Sequence, residues 1–151
     1  MKPSSVSKAL HHLLNAHRPA FIWGPPGAGK SDVVAQVAEE RKVALTDIRL
    51  SLLDPVDLKG FPVPNSAKGI MEWLPANFLP TKGKGILFLD EMNSAPQAVQ
   101  AGAYQLILNR KIGDYTLPDG WDVLAAGDRA GDRSGGPVRP AARASPTVHP
   151  D

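Results

Sequence analysis

The sequence reads Gly24-Pro25-Pro26-Gly27-Ala28-Gly29-Lys30-Ser31 directly after its first apolar run. Two glycines with four residues between them, followed by Lys and Ser, fit the phosphate-binding P-loop pattern. The preceding run, Ala20-Phe21-Ile22-Trp23, is of strand type, and the residues after the motif repeat at helical spacing: Val33, Val34, Val37 and Ala38. The motif therefore lies between a predicted strand and a predicted helix, which is the context it requires.

Each part of this stretch suits phosphate binding. Glycines leave the backbone free to curl, so that successive N–H groups point at one anion, and the helix adds its positive end beneath. In this pattern Lys30 reaches the β- and γ-phosphates and the Ser31 hydroxyl holds Mg²⁺. The alternative is a plain Gly/Pro turn without a ligand. The predicted nucleotide-binding residues are Gly24, Pro25, Pro26, Gly27, Ala28, Gly29, Lys30, Ser31 and Asp32.

A second strong signal is Ile86-Leu87-Phe88-Leu89-Asp90-Glu91. Four consecutive apolar residues are typical of a buried strand in a parallel sheet, and ligands bind at the carboxyl ends of such strands. This is a Walker B pattern, in which Asp90 holds Mg²⁺ and Glu91 orients or polarises the attacking water. The alternative is that the two carboxylates only cap the next helix.

The remaining pattern predicts further helices and strands. We expect a helix from residue 4 or 5 to 18, a P-loop helix that ends near residue 41, and strands at 43–50 and 70–73. A further helix is predicted at 97–108, with an inner face of Val99, Ala103, Leu106 and Ile107. Residues 53–68 are rich in turn formers and are predicted to be irregular. Strands at 115–117 and 121–126 are predicted to form a hairpin through Pro118-Asp119-Gly120, with the second also apolar enough for the central sheet. That placement would bring Asp128 to the same sheet edge as Asp90.

Composition excludes several classes of protein. The chain has 151 residues, of which 42% are apolar, so one domain with a sizeable core is expected and wholesale disorder is not. The net charge is only +2, and Lys and Arg are dispersed along the chain. The pI of about 9.0 therefore gives little support for nucleic-acid binding. Disulfides are excluded because there is no cysteine. We predict a cytoplasmic protein without membrane association, since no apolar run is long enough to span a bilayer.

Residues 19–133 resemble the nucleotide-binding part of an AAA+ ATPase of the MoxR-like branch. Besides the two Walker stretches, Asp90-Glu91-Met92-Asn93-Ser94-Ala95-Pro96 resembles the extended Walker B of that branch. Asp57-Leu58-Lys59-Gly60 resembles the segment before its helix-2 insertion, and Leu117-Pro118-Asp119-Gly120-Trp121 resembles the approach to its sensor 1 strand. The Walker motifs are shared by many NTPases, whereas their combination with Asn93-Ser94-Ala95-Pro96 is more specific.

This resemblance implies an α/β P-loop NTPase fold, a three-layer sandwich around a parallel sheet of strand order 5-1-4-3-2. It also implies ATP and Mg²⁺ as cofactors, with Lys30, Glu91 and the sensor residue Asp128 in catalytic roles and with Ser31 and Asp90 at the metal. Family members assemble as homo-oligomeric rings and act as chaperone-like remodellers, often with a partner that carries a von Willebrand factor A domain.

The sequence departs from the family pattern in two places. Asp128 stands where the family usually has Asn. An amide can donate a hydrogen bond, whereas an ionised carboxylate can only accept one. The resemblance also ends near residue 133, before the arginine finger, the fifth strand and the lid. We therefore predict a partial nucleotide-binding domain at 1–133, with the fifth strand missing. Residues 134–151, rich in Gly and Pro and without periodicity, are predicted to form a disordered tail.

Three functions are compatible with these observations. The first is Mg-dependent ATP hydrolysis coupled to remodelling of a protein partner. The second is a nucleotide-binding module without turnover, which Asp128 and the missing lid favour and the retained Glu91 opposes. The third is a DNA-related P-loop protein such as a helicase loader, against which the weak positive charge counts.

Overall fold

A sheet with helices on both faces organises the chain. The computed structural model describes residues 3–23, 29–54, 61–65, 67, 69–74, 78–127 and 138–140. The helices within these residues are α1 (Pro3–Asn15), α2 (Lys30–Arg41) and α3 (Gln97–Asn109). The strands are β1 (Ala20–Trp23), β2 (Ala44–Arg49), β3 (Phe61–Asn65), β4 (Ile70–Leu74), β5 (Gly85–Asp90), β6 (Lys111–Ile112), β7 (Tyr115–Thr116), β8 (Trp121–Gly127) and β9 (Val138–Pro140). None of the described helices is long and apolar enough to cross a bilayer.

The central sheet has the strand order β2-β5-β8-β1-β9. Its first four strands are parallel, with Ile48 beside Leu89 and Phe88 beside Leu124 in register. Read from the other edge, the four parallel strands follow the 1-4-3-2 part of the predicted order 5-1-4-3-2, with β5 and β8 as strands 3 and 4. The predicted α/β class and strand order are therefore confirmed. We call the edge at which the four parallel strands end the carboxyl edge.

Alternating side chains of the strands build a core on each face of the sheet. On one face α1 and α2 cover the sheet, and the buried residues of that layer include Leu10, Val34, Phe88 and Leu124. On the other face α3 packs through Val99, Ala103, Leu106 and Ile107, the four residues that helical spacing predicts. The three-layer sandwich thus follows from strands that are apolar on both sides.

A polar cluster fastens α1 to the end of α2. Arg41 Nη1 lies 3.2 Å from His11 Nδ1 and donates to Asn15 Oδ1 at 3.0 Å. Because a guanidinium can only donate, His11 Nδ1 is the acceptor, so that Nε2 carries the proton and donates to Glu40 Oε1 at 2.8 Å. This hydrogen bond lowers the pKa of Glu40 below its usual value. The contact therefore stabilises the fold above that value and weakens as the Glu40 carboxylate becomes protonated in acid.

The family's fifth strand is missing as predicted, but a short strand that the sequence analysis did not predict, β9, lies in its place beside β1. It pairs with β1 in antiparallel register, Ala20 beside Pro140 and Ile22 beside Val138. The family's fifth strand would run parallel, so β9 takes its place in the sheet but not its direction. The pattern did not predict it, because three residues that include a proline carry no periodicity. The domain boundary at residue 133 stays a prediction.

Two local predictions are wrong. Tyr115–Thr116 pairs with Lys111–Ile112 and not with β8, since the side of β8 that a hairpin would use is taken by β5 or β1. Residues 61–65, predicted to be irregular, form β3 and pair with β4 in a two-stranded sheet. Pro62 and Pro64 are compatible with this strand because every second N–H of a two-stranded ladder points away from the partner.

Gly85→Ala should destabilise the protein by about 1–3 kcal/mol, as expected for overpacking. A Cβ at Gly85 would lie 2.5 Å from the Trp121 ring and 2.7 Å from the carbonyl oxygen of Ala44, and that backbone cannot give way cheaply. Urea denaturation measures the loss, with Lys84→Ala at the exposed neighbouring position as the control. An unchanged unfolding midpoint for Gly85→Ala would contradict this packing.

Candidate nucleotide-binding site

The P-loop motif connects the end of β1 to the start of α2. Five of the predicted binding residues, Gly24, Pro25, Pro26, Gly27 and Ala28, lie outside the described residues, and so does Asp128. Gly29 is described and has a φ of 76°, a left-handed conformation that glycine adopts without strain. Its carbonyl accepts the Val33 N–H at 3.1 Å, so the helix ladder starts at Gly29. Lys30, Ser31 and Asp32 consequently form the first turn of α2.

The structure brings Ser31 and Asp90 together. The Ser31 hydroxyl donates to Asp90 Oδ2 at 3.0 Å, although the two residues are 59 positions apart in the chain. This contact arises because α2 begins, and β5 ends, at the carboxyl edge. The two residues predicted to hold the metal are thus neighbours in space.

Asp90 is the buried acid of this edge. It is 8% exposed and is the one charged or polar residue classed as buried among the described residues. Its second oxygen, Oδ1, accepts the Glu91 backbone N–H at 2.8 Å, which fixes the orientation of the carboxylate. A carboxylate and a hydroxyl are the hard oxygen ligands that Mg²⁺ takes from proteins, usually in small number beside water and phosphate. The side chains present therefore fit a Mg²⁺ ion between Ser31 and Asp90.

Glu91 follows directly, in an unusual backbone conformation. Its φ of 56° and ψ of 45° are left-handed, which is uncommon for a residue other than glycine. Its side chain contacts the last residue of β2 and the turn that follows β2. There Ser51 Oγ donates to Glu91 Oε1 at 2.5 Å, and Arg49 Nε lies 3.3 Å from Oε2. Both oxygens of the predicted water-activating carboxylate are thus engaged by this chain's own side chains.

Asp47 is a third acid near this edge. It shares a sheet face with Asp90, because the β2–β5 register sets Asp47 beside Phe88 and Arg49 beside Asp90. The residue as a whole is exposed, but its carboxyl group lies close enough to the sheet for desolvation to raise its pKa. The negative charge of Asp90 raises that pKa further, and Arg49 opposes the shift.

Asp47→Asn should raise the free energy of unfolding at pH 7, by less than about 1 kcal/mol because the charge is largely exposed. A raised folded-state pKa means that the ionised carboxylate costs stability, a cost that disappears as the pH falls below the usual value of 3.8. Urea denaturation measures the gain at pH 7 and its loss at pH 3, with Asp119→Asn on an exposed turn as the control. A gain that persists unchanged at pH 3 would contradict the electrostatic origin.

Sequence reasoning missed three residues of this edge: Arg49, Ser51 and Asp47. Their signal was present, since the strand predicted at 43–50 must end at the same edge as the strand before Asp90. Polar residues at or just after the carboxyl end of that strand are therefore expected near Asp90.

Comparisons with solved structures agree with this geometry. An ATPase candidate from Cytophaga hutchinsonii matches with a TM-score of 0.58 and 21% identity, covering 92% of this chain and 41% of that one. A RuvB variant from Thermotoga maritima matches with a TM-score of 0.56 and 21% identity, covering 85% and 40%. NtrX from Brucella abortus in complex with ATP matches with a TM-score of 0.51 and 16% identity, covering 80% and 29%. These proteins are AAA+ ATPases. The chain has the AAA+ ATPase fold.

Sequence comparison adds a relative of the same class. Midasin from Giardia intestinalis is 33% identical over 113 residues, which cover 72% of this chain and 2% of Midasin. No family model matches the chain. The chain spans less than half the length of each of these proteins, so the likeness concerns the fold.

Proposed function

We propose that this chain binds ATP with Mg²⁺ and hydrolyses it, as a MoxR-like AAA+ ATPase. The observation that carries the proposal is the 3.0 Å hydrogen bond between Ser31 and Asp90, which joins the two Walker motifs at one point. A neighbouring structure with the same fold holds ATP. By resemblance, the activity would serve chaperone-like remodelling in a cytoplasmic ring, with a von Willebrand factor A domain protein as partner.

Each residue of the site has a defined task in this proposal. Lys30, at the N-terminus of α2, would bind the β- and γ-phosphates, helped by the positive end of the helix. Ser31 and Asp90 would hold Mg²⁺, which when bound neutralises phosphate charge. Glu91 would accept a proton from the attacking water or orient it. Asp128 would lie near the γ-phosphate as the sensor residue.

Calorimetry with and without Mg²⁺ tests this proposal. ATP should bind saturably in the presence of Mg²⁺ and more weakly in EDTA, and phosphate release should follow only with Mg²⁺. Absence of binding under both conditions would overturn the proposal. DNA added to the turnover assay distinguishes the helicase-loader reading, because only that reading expects stimulation.

A second candidate is nucleotide binding without turnover. It is favoured by the contacts of Glu91, since Ser51 and Arg49 each engage one oxygen of the carboxylate and restrain its movement toward a water at the γ-phosphate. In this case Mg-ATP would bind with the same dependence on Lys30, and no phosphate would be released.

Ser51→Ala should raise the turnover rate by about 2- to 10-fold, the worth of one hydrogen bond of about 0.5–1.5 kcal/mol. The change frees Glu91 Oε1 without altering the carboxylate. A phosphate-release assay at saturating Mg-ATP measures it, and Ser94→Ala, an exposed serine, is the control. A fall in rate would mean that Ser51 holds Glu91 in its productive orientation.

A further inference from the structure

The two edges of the central sheet differ in chemistry. Strand β2 forms one edge and carries two exposed charged residues, Asp47 and Arg49. Charges on an edge strand discourage pairing with another chain. Strand β1, Ala20-Phe21-Ile22-Trp23, has no charged residue, and its first three residues are buried. Without a neighbour on its outer side, β1 would be an apolar edge with free N–H and C=O groups.

That neighbour is β9, which is attached by few backbone contacts. Pro140 lies opposite Ala20 and has no N–H to donate, so the pair that exchanges two hydrogen bonds must be Arg139 with Phe21. Val138 and Pro140 then take the alternate phase, in which the Val138 N–H points away from β1 and Pro140 has no N–H to lose. The strand is three residues long, so β1 is protected by a minimal ladder centred on Arg139.

We propose that β9 is an intramolecular guard of the β1 edge, which prevents β1 from pairing with β1 of a second copy of this chain. Such a pair would be antiparallel and self-complementary, because a twofold axis sets the same strand against itself. A second copy is the fitting partner, since it supplies an equally apolar strand whose backbone groups are free under the same condition. When the guard is displaced, copies associate through the strand that leads into the P-loop.

The test uses proline at two neighbouring positions of β9 in the full chain, without nucleotide, so that its outcome is independent of the proposed function. Arg139→Pro removes the N–H that faces β1 and should raise the mass measured by light scattering above that of the wild type, increasingly with concentration. Arg139→Ala keeps the backbone bonds, and Val138→Pro removes an N–H that points away. Both should keep the wild-type mass.

A synthetic peptide of residues 134–144 provides the second measurement. Added in excess, it should restore the wild-type mass of Arg139→Pro, or restore soluble protein if that variant precipitates. Hydrogen exchange at residues 20–23 should be faster in monomeric Arg139→Pro than in Arg139→Ala. The proposal is overturned if Arg139→Pro keeps the wild-type mass and exchange, if Val138→Pro associates equally, or if the peptide has no effect.

Discussion

Lys30→Ala is expected to weaken Mg-ATP binding by a factor on the order of 10²–10³. Truncating one partner of a hydrogen-bonded charge pair costs about 2–5 kcal/mol, and each 1.4 kcal/mol is tenfold in affinity. Lys30 opens α2, directly after the left-handed Gly29 and beside Ser31, whose hydroxyl contacts Asp90. Lys30 is thus at the helix end that already favours an anion. Calorimetric titration of the purified variant measures the effect.

Lys8→Ala is the matched control for this experiment. Lys8 is an exposed lysine on α1, so the same loss of charge occurs in a helix without a role at the carboxyl edge. Its affinity for Mg-ATP should equal that of the wild type. Equal affinities of the Lys30 and Lys8 variants would show that the motif forms a turn without a ligand.

Glu91→Gln should lower the turnover rate by about 10²–10⁴-fold, the usual contribution of a general base. The amide has nearly the same shape and can still accept from Ser51, but it cannot take a proton from water. Mg-ATP affinity should change little, because Asp90 and Ser31 keep their contacts. The split between an unchanged dissociation constant and a reduced rate is the signature of a residue that acts in the chemical step.

Glu39→Gln, on the exposed side of α2, controls for the loss of one negative charge. It should leave both affinity and rate unchanged. If the wild type binds Mg-ATP but releases no phosphate, and Ser51→Ala releases none either, the module without turnover is the better description. Retention of full activity in Glu91→Gln would assign water activation to another residue.

The strands of the central sheet could be predicted because each carries its own signal, whereas their order was implied by the family resemblance. Residues 86–89 are all apolar and are followed by the carboxylate of Asp90, and that combination predicted both a buried strand and its ligand-binding end. The spacing of Val99, Ala103, Leu106 and Ile107 likewise predicted which side of α3 is buried. In these segments the local pattern and the tertiary environment agree.

Pairing partners were harder to predict than strands. Tyr115–Thr116 has a strand pattern, but the pattern does not show its partner. In the sheet β8 is already paired on both sides, so Tyr115–Thr116 pairs with Lys111–Ile112. The same limit applies to β9, whose short sequence contains a proline. What decides these cases is which backbone groups remain unpaired after the long strands have assembled, and no local pattern contains that information.

The site residues divide in the same way into those that a local motif predicts and those that only the fold brings together. Ser31 and Asp90 were predicted from motifs and lie in contact, whereas Ser51 and Arg49 belong to no motif and were missed. They reach Glu91 because Arg49 ends β2 at the carboxyl edge and Ser51 lies in the 3₁₀ turn, Leu50–Leu52, that follows directly. Motifs identify the groups that are predicted to act on the ligand. Which residues contact those groups is decided by the fold, which brings distant segments together at the carboxyl edge.

The left-handed backbone at Glu91 sets stability against the proposed catalytic role of this position. A side chain other than glycine costs about 1–2 kcal/mol there, so selection for thermal resistance alone would replace the carboxylate with glycine. A library screened only for survival on heating should therefore enrich the substitution that removes the predicted base. Directed evolution of this chain needs a nucleotide-turnover screen beside the thermal one, because the two selections favour opposite residues at position 91.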